Sequence, residues 1–343
     1  MFKNSSRSTL LQVAKKAGVH VSTASRALNA KTRHMIGPSI VKNIEKIALE
    51  LNYKPNRLAR ALRTNKSNGI GIIVPDITNS IFSSMILGIE NALERQNYVP
   101  VTVNMSEKIE NSLINKIDLL RNFGVDGLIL ATGDHPQINY NDILDTGTPI
   151  VMLNRSSENP KLNSILPDDT EGIKKAFDYL WSLGHRKISM ISGPQNISTG
   201  QLRSKEFKRI VSSLNKTEKD FPVFYANSYN EEEGEFCMNE IFKYRNRVSG
   251  IICGNDRLAI GALGAIKNKS LNCPEDYSIV GFNNMPLSER IDPPLTTIDI
   301  KPYEMGFLAA EKLLSLLNSK PFKEDKIIYQ PVELIIRSSC KVR

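Results

Sequence analysis

The feature that most constrains this chain is a regular alternation of short apolar segments and longer amphipathic segments that begins at Gly69. The first pair is GIGIIVPDI (69–77), which is apolar along most of its length, and SSMILGIENALERQNY (83–98), which has helical spacing. Strands without polar alternation are typical of parallel sheets covered by helices on both faces. Roughly eleven such strands are more than one sheet ordinarily holds. The sequence therefore predicts an α/β core of two parallel-sheet lobes.

Two segments of this core resemble each other. FGVDGLILATGD (123–134) and NRVSGIICGNDR (246–257) each place a short apolar strand after a helix and end in polar residues. The similarity predicts two lobes of similar build. Because ligands of such sheets bind at the carboxyl ends of the strands, we expect a small-molecule cleft between the lobes.

The charge of the chain is unevenly distributed. Residues 1–65 contain 13 lysines and arginines and two acidic residues, a net charge of +11, whereas the remainder carries −2. A small basic unit joined to a nearly neutral body indicates a polyanionic partner for the small unit. The alternative is a solvated lysine-rich tail. It is disfavoured because apolar residues recur in this region at helical spacing.

The basic unit has the pattern of three short helices, predicted over Thr9–Ala17, Ser22–Asn29 and Pro38–Asn52. Gly18 stands where the chain must turn after the first helix. Two short helices joined through a glycine turn are typical of a helix-turn-helix, whose second helix enters the major groove of DNA. An αα-hairpin inside a helical bundle is the alternative.

The second helix carries small polar and basic side chains suited to DNA. We predict that Val21, Ser22 and Arg26 face base edges, where Arg26 would contact guanine through two hydrogen bonds. Thr23 and Ser25 would bind phosphates. Further DNA-binding residues are predicted on either side of the third helix and in the segment after it: Asn29, Tyr53, Asn56 and Arg57.

Residues 52–68 read as a linker with a helical centre at 56–64. Nine residues are too few for a stable isolated helix, so we expect this segment to fold only when held, for example by a second copy on DNA. Leu62 lies between Arg60 and Arg63, a pattern that fits insertion of an apolar wedge into the minor groove. The alternative is a leucine that packs on the body.

These patterns predict three parts, with the following boundaries: a helix-turn-helix DNA-binding domain at 1–55, a hinge helix or linker at 56–66, and an effector-binding and dimerisation core at 67–343.

Several functional classes lack their motifs. The four cysteines contain no Cys-x-x-Cys pair, the four histidines have no metal-ligand spacing, and neither a phosphate-binding glycine loop nor a Gly-x-Ser-x-Gly elbow occurs. We therefore predict no catalytic site, no metal and no cofactor. The longest apolar runs are strand-sized and no signal-peptide pattern is present, so we expect a cytoplasmic protein with no membrane partner, associated with the nucleoid when bound to DNA.

The chain resembles the LacI/GalR (lactose-repressor) family of bacterial transcription regulators over essentially its whole length. The motifs that carry the resemblance occur in the family's order: VAKKAGVHVSTASRALN (13–29), NYKPNRLARALR (52–63), GIGIIVPDITNSIF (69–82), LGHRKISMISGP (183–194), GIICGNDRLAIGAL (250–263) and SIVGFNNMPLSERIDPPLTTI (278–298). The resemblance implies a homodimer on a pseudo-palindromic double-stranded DNA operator. Val21, Ser22 and Arg26 would read bases and Leu62 would be the hinge wedge.

The resemblance also implies a periplasmic-binding-protein-like core whose cleft binds a small, sugar-like effector. In such a core we expect an N-lobe of about 67–165 and 300–330 and a C-lobe of about 166–299 and 331–343. Carried over by motif, the effector-binding residues are Asp76, Asn79, Phe82, Arg203, Tyr229, Asn255 and Asn283. Arginine and asparagine suit hydroxyl groups, and an aromatic ring covers an apolar sugar face. For Asn255 the alternative is a cap of the following helix, and we interpret Asp168 as such a cap.

Three positions depart from the family pattern: Asn283 replaces the usual Asp, Glu206 the usual Gly, and Ser80 the usual Pro. An amide accepts weaker hydrogen bonds than a carboxylate, which weakens the expectation of a common sugar effector. Glu206 is expected to crowd or charge the surroundings of Arg203. The chain ends soon after VELIIRSS without heptads, so we expect a dimer that lacks a tetramerising helix.

The leading hypothesis is a DNA-binding regulator, most simply a repressor, whose operator affinity a small effector changes by shifting the population of two conformations. The alternative is a regulator of the same family that a protein corepressor controls. An enzyme is the third possibility, which the missing catalytic motifs disfavour.

Overall fold

The computed structural model describes residues 8–29, 32–54, 66–105, 112–133, 138–217, 219–244, 248–318 and 325–343. The chain divides into two units, Met1–Ser67 and Asn68–Arg343. The predicted hinge helix at 56–64, with the predicted DNA contacts Asn56, Arg57 and Leu62, lies outside the described residues.

The small unit contains three α-helices: α1 (Leu10–Lys16), α2 (Val21–Ala27) and α3 (Pro38–Glu50). Thr9 begins α1 with a capping box, in which its hydroxyl accepts from Gln12 N at 3.3 Å while Gln12 Oε1 accepts from Thr9 N at 2.8 Å. Two amides that the helix leaves unpaired are satisfied in this way.

The helices of the small unit pack on one apolar core. Ala24 and Ala27 of α2 are buried against Val13 and Ile44, as their spacing predicts. Small alanine side chains allow the short helices to approach closely. Gly18 turns the chain after α1 with a φ of +64°, a conformation that favours glycine.

The large unit is built on two six-stranded sheets, which we call the N-lobe and C-lobe sheets. All strands of the N-lobe sheet are parallel, in the order β11-β5-β4-β3-β1-β2. Its strands are β1 (Gly69–Val74), β2 (Val99–Asn104), β3 (Gly127–Leu130), β4 (Ile150–Leu153), β5 (Asn163–Pro167) and β11 (Ile327–Gln330).

The C-lobe sheet has the order β12-β10-β9-β8-β6-β7 and is parallel except for β12, which runs antiparallel to β10. Its strands are β6 (Ile188–Ser192), β7 (Val223–Tyr225), β8 (Gly250–Cys253), β9 (Ser278–Asn283), β10 (Thr296–Asp299) and β12 (Glu333–Ile335). The predicted α/β core of two parallel-sheet lobes is confirmed.

Helices connect the strands and cover the sheets. They are α4 (Ser80–Glu94), α5 (Ser112–Asn122), α6 (Tyr140–Asp145), α7 (Asp169–Ser182), α8 (Ser198–Ser213), α9 (Glu231–Lys243), α10 (Asp256–Asn268) and α11 (Pro302–Leu317). Glycines allow α4 and α11 to touch, because a Cβ at Gly88 would lie 2.0 Å from Tyr303 O and one at Gly306 would lie 2.0 Å from Met85 O.

Strand β2 departs from the expectation that every core strand is covered on both faces. It lies at the edge of the N-lobe sheet, and Val99 and Val101 are 39% and 37% exposed. The apolar run VPVTVN gave no sign of this position, since an edge strand of a parallel sheet has the same composition as a central one.

Candidate DNA-binding and effector-binding sites

Helix α2 presents two of the predicted base-reading side chains to solvent. Ser22 and Arg26 are exposed and lie four residues apart, so they share one face of the helix. Val21, Thr23 and Ser25 are half-buried, and Val21 also packs against the core of the small unit. The exposed face is therefore centred on Ser22 and Arg26.

His20 begins this helix, a role that the sequence analysis did not assign. Its Nδ1 accepts from Ser22 N at 3.3 Å and lies 2.8 Å from Ser22 Oγ. A ring nitrogen that accepts carries no proton, so this cap requires Nδ1 to be unprotonated. The predicted helix began at Ser22, one residue later than the observed start at Val21, so the sequence placed His20 outside the capping position.

Asn29 and Tyr53, the other predicted DNA contacts within the described residues, are half-buried. The carbonyl of Asn29 accepts from Thr32 N at 3.0 Å and from Arg33 N at 2.8 Å, which closes the turn after α2. Tyr53 packs against the small core, and its burial raises the pKa of the phenol. Both residues thus contribute to the fold of the small unit.

In the C-lobe, Arg203 of α8 is almost fully buried and has three kinds of partner. Its Nε and Nη2 atoms each lie 2.8 Å from Asp169 Oδ1, and Nη1 donates to Gly254 O at 2.5 Å. The guanidinium also lies 3.7 Å above the ring of Phe282. The predicted effector-binding arginine is therefore fixed by α7, by the end of β8 and by β9.

Asp169 is the partner that the sequence analysis missed, and it lies immediately after the predicted cap Asp168. Burial raises the pKa of Asp169, and the Arg203 guanidinium opposes that rise. Asp168 itself accepts from Glu171 N at 2.9 Å, which confirms its interpretation as the helix cap. The pair of aspartates in LPDDTEG was the signal, but spacing alone does not tell which one caps.

Tyr229 lies half-buried beside the end of β6. Its hydroxyl is 3.1 Å from Thr199 Oγ1, and burial raises the pKa of the phenol. A Cβ at Gly193 would lie 2.1 Å from the ring carbon Cζ, so only glycine leaves room for this ring. The structure therefore holds the predicted stacking residue in a defined position.

Three predicted effector residues stabilise the fold, two as helix caps and one as part of the apolar core. Asn255 Oδ1 accepts from Leu258 N at 2.8 Å and begins α10, so the capping alternative for Asn255 is what the structure shows. Asn79 begins α4 in the same way, accepting from Ile81 N at 3.3 Å. Phe82 is 3% exposed and belongs to the main apolar core.

Asn283 ends β9 in a left-handed conformation, with a φ of +110°, and is buried. The loop after it is fixed by Asp256, which accepts from Met285 N and from Thr297 Oγ1, both at 2.6 Å. Burial raises the pKa of Asp256 to about 7. Glu206, the second of the three departures from the family pattern, is buried and pairs with Arg209 through two 2.7 Å contacts, not with Arg203.

Asp76 lies in the loop after β1 and uses both carboxylate oxygens. Its Oδ1 accepts from Thr78 N at 2.9 Å and from Thr78 Oγ1 at 2.6 Å, and its Oδ2 accepts from Arg257 Nη1 at 3.3 Å. Arg257 also binds Glu231 through two contacts of 2.8 and 2.7 Å, which lowers the pKa of Glu231. No role was predicted from the sequence for Arg257 or Glu231.

Two buried oxygens at the ends of neighbouring strands have no hydrogen-bond partner among the described residues: Thr132 Oγ1, which follows β3, and Asn154 Oδ1, which follows β4. Because the carboxyl ends of parallel strands meet at one edge, the two side chains share that edge. Neither was predicted, although LILATGD and VMLNR each show a polar residue just after an apolar strand.

A cavity of about 170 Å³ adjoins this edge. Asn154 lines it together with Asp169 at the start of α7 and Ser198 at the start of α8. Arg203 adjoins the cavity through its contact with Asp169, and it also contacts Gly254 and Phe282, which precede Asn255 and Asn283 in the sequence.

None of the helices in the described ranges combines the length and apolar character that a bilayer crossing requires. Within the same ranges, the His, Cys, Asp and Glu side chains form no group of three that could hold a metal ion.

Comparison with known families gives two matches along the chain. Residues 9–56 match bacterial regulatory proteins of the lacI family, and residues 177–340 match a periplasmic-binding-protein-like domain. The HTH-type transcriptional repressor PurR of Mannheimia succiniciproducens is 31% identical over 335 residues, which cover 97% of this chain and 98% of that protein. The chain belongs to the lacI family of bacterial regulatory proteins.

Other relatives are similar to this chain over nearly its whole length or over its large unit. The ribose operon repressor of Bacillus subtilis is 31% identical over 342 residues, covering 97% of this chain and 98% of the relative. Among solved structures, the lac repressor dimer bound to operator and the anti-inducer ONPF matches the fold with a TM-score of 0.86 at 24% identity, over 98% of this chain and 99% of that one.

A lacI-family regulator from Enterococcus faecium with bound ribose is 28% identical, with a TM-score of 0.71 over 80% of this chain and 99% of that one. Membership in the lacI family confirms that this chain is a DNA-binding transcription regulator and not an enzyme. It also confirms the predicted family and its helix-turn-helix domain.

Proposed function

We propose that this regulator is a homodimeric repressor that binds a pseudo-palindromic operator and is gated by a small, uncharged, hydroxyl-rich effector. In this proposal residues 1–55 read DNA, residues 56–66 form the hinge with Leu62 as a minor-groove wedge, and residues 67–343 bind the effector and the second copy. The exposed pair Ser22 and Arg26 on α2 supports the assignment of base contacts.

The observation that carries the effector class is the combination of Thr132 Oγ1 and Asn154 Oδ1 at one sheet edge. A buried polar oxygen without a partner costs free energy, and a bound hydroxyl group would remove that cost. The buried guanidinium of Arg203 already has protein partners in Asp169 and Gly254. A neutral polyol fits these groups better than an anion, and the ring of Tyr229 would cover its apolar face.

Ribose is the first effector to test, since one relative is named a ribose operon repressor and one similar structure contains bound ribose. Effector binding would favour one arrangement of the two lobes over another, and the change in operator affinity would equal the difference in effector affinity between the two arrangements.

The test is selection of bound fragments from genomic DNA by the purified full chain, at near-physiological salt, with and without ribose. Enrichment of one pseudo-palindromic site, lost in Arg26→Ala, is the expected result. Binding that is blind to sequence at every salt concentration would overturn the operator proposal. A panel of neutral sugars and sugar acids, followed by calorimetry, then tests the effector class, and binding of the acids alone would overturn it.

A further inference from the structure

One ion-pair group joins the two lobes. It consists of Asp76 from the loop after β1 in the N-lobe and of Glu231 and Arg257 from α9 and α10 in the C-lobe. Arg257 donates Nε and Nη2 to the two oxygens of Glu231 and directs Nη1 to Asp76 Oδ2 at 3.3 Å. The arginine thus uses its whole fork, with two donors inside its own lobe and one toward the other lobe.

The C-lobe end of this group is rigid. Helices α9 and α10 are in backbone contact, because a Cβ at Gly261 would lie 1.9 Å from Glu231 O and one at Gly234 would lie 2.2 Å from Leu258 O. Glu231 is the first residue of α9 and Arg257 the second of α10, so their pairing is fixed by the packing of the two helices.

The N-lobe end is also anchored. Asp76 Oδ1 accepts both hydrogen bonds from Thr78, and Ile77 N donates to Asn104 Oδ1 of β2 at 2.9 Å. The contact between Arg257 and Asp76 therefore joins two firmly held segments, and rotation of one lobe relative to the other must stretch or break it.

We infer that Arg257 is a positioning residue that latches the two lobes in this arrangement, and that Asp76 is the acceptor of the latch and not a ligand of the effector. The inference rests on the proposed gating of the cleft. The side chains of Arg257, Asp76 and Glu231 are 20%, 37% and 39% exposed, so solvent screens the pair in part. Its contribution to lobe closure is accordingly modest and depends on salt.

The test is hydrogen exchange of the full chain without DNA or effector, read by mass spectrometry. Arg257→Gln, a change in the C-lobe, should raise amide exchange in N-lobe residues 75–82 by about two- to fivefold. Asp76→Asn keeps an oxygen to cap Thr78 and should raise exchange at the start of α10 by a similar factor. The matched control is Arg290→Gln, which removes an exposed C-lobe charge and should leave both segments unchanged.

If residues 75–82 of Arg257→Gln exchange at the same rate as in the wild type, the latch is overturned. An equal increase in the control variant Arg290→Gln would also overturn it. Salt supplies a readout that needs no variant: added NaCl should raise exchange at 75–82 in the wild type and should have little effect in Arg257→Gln. Salt-independent wild-type exchange would also overturn it. Ribose titration of the same samples tests the effector separately, so absence of ribose binding with a salt-sensitive latch would count against the effector alone.

Discussion

Removal of the buried carboxylate of Asp169 should strongly destabilise the large unit. In Asp169→Leu the Arg203 guanidinium stays buried, 2% exposed, with Gly254 O and the ring of Phe282 as its remaining partners. An uncompensated buried charge costs about 3–5 kcal/mol. The double variant Asp169→Leu/Arg203→Met replaces both ions by apolar side chains of similar volume and should recover most of this loss, because such replacements are often neutral.

Urea denaturation followed by tryptophan fluorescence measures this effect locally. Trp181 is the single tryptophan of the chain and lies on α7, the helix that Asp169 begins, with its ring stacked on Phe177 at 5.8 Å. If the free energy of unfolding falls by about 3 kcal/mol per molar urea, Asp169→Leu should lower the urea midpoint of unfolding by about 1–1.7 M. A shift below about 0.3 M, or a double variant as unstable as the single one, would show that the unpaired charge of Arg203 is not what destabilises the variant.

Three further changes test the sites separately. Burial raises the pKa of Asp256 to about 7, so the native state binds this proton more tightly than the unfolded chain and loses stability as pH rises from about 4 to about 7. The free energy of unfolding of Asp256→Asn relative to the wild type should therefore increase over that interval by up to about 4 kcal/mol, and a constant difference would contradict the assignment. Arg26→Ala should reduce discrimination between operator and random DNA by about 1–3 kcal/mol in fluorescence anisotropy, whereas an equal loss on both DNAs would exclude a base contact. Tyr229→Ala should weaken ribose binding, measured by calorimetry, by about tenfold or more. Tyr229→Phe keeps the ring and should change the affinity by less than about fivefold. Equal losses in the two variants would assign the effect to the hydroxyl.

The fold was predictable because its signals are local and repeated. Apolar strands and helical spacing recur along the core, and the two similar segments around Gly127 and Gly250 indicated two lobes. Ala24 and Ala27 were placed in the small core because helical periodicity leaves only one face apolar. The exposure of β2 could not be predicted in the same way, since strand order depends on which crossovers form and not on the composition of one strand.

The candidate sites were predictable only in part, for a different reason. Motifs predicted effector contacts for Arg203 and Tyr229, and the structure fixes both side chains at the ends of C-lobe strands, while their contact with an effector stays a prediction. They did not find Asp169 or Arg257, because an ion pair between two elements depends on residues that lie far apart in sequence. Motifs also did not separate the duties of Asn255, since capping and ligand binding favour the same residue type at the end of a strand.

Several polar side chains near the cleft already form hydrogen bonds or ion pairs within the protein. Asn79, Asn255 and Asp168 each begin a helix whose first amides they accept, and Arg203 completes a buried ion pair. A ligand that reached these groups would have to share or displace an existing hydrogen bond, which reduces the net gain from each contact. Two buried oxygens have no hydrogen-bond partner among the described residues, Thr132 Oγ1 and Asn154 Oδ1, and both lie at the carboxyl edge of the N-lobe sheet. Substitution of either should therefore change effector affinity with little loss of stability, whereas substitution of Arg203 should lower both together.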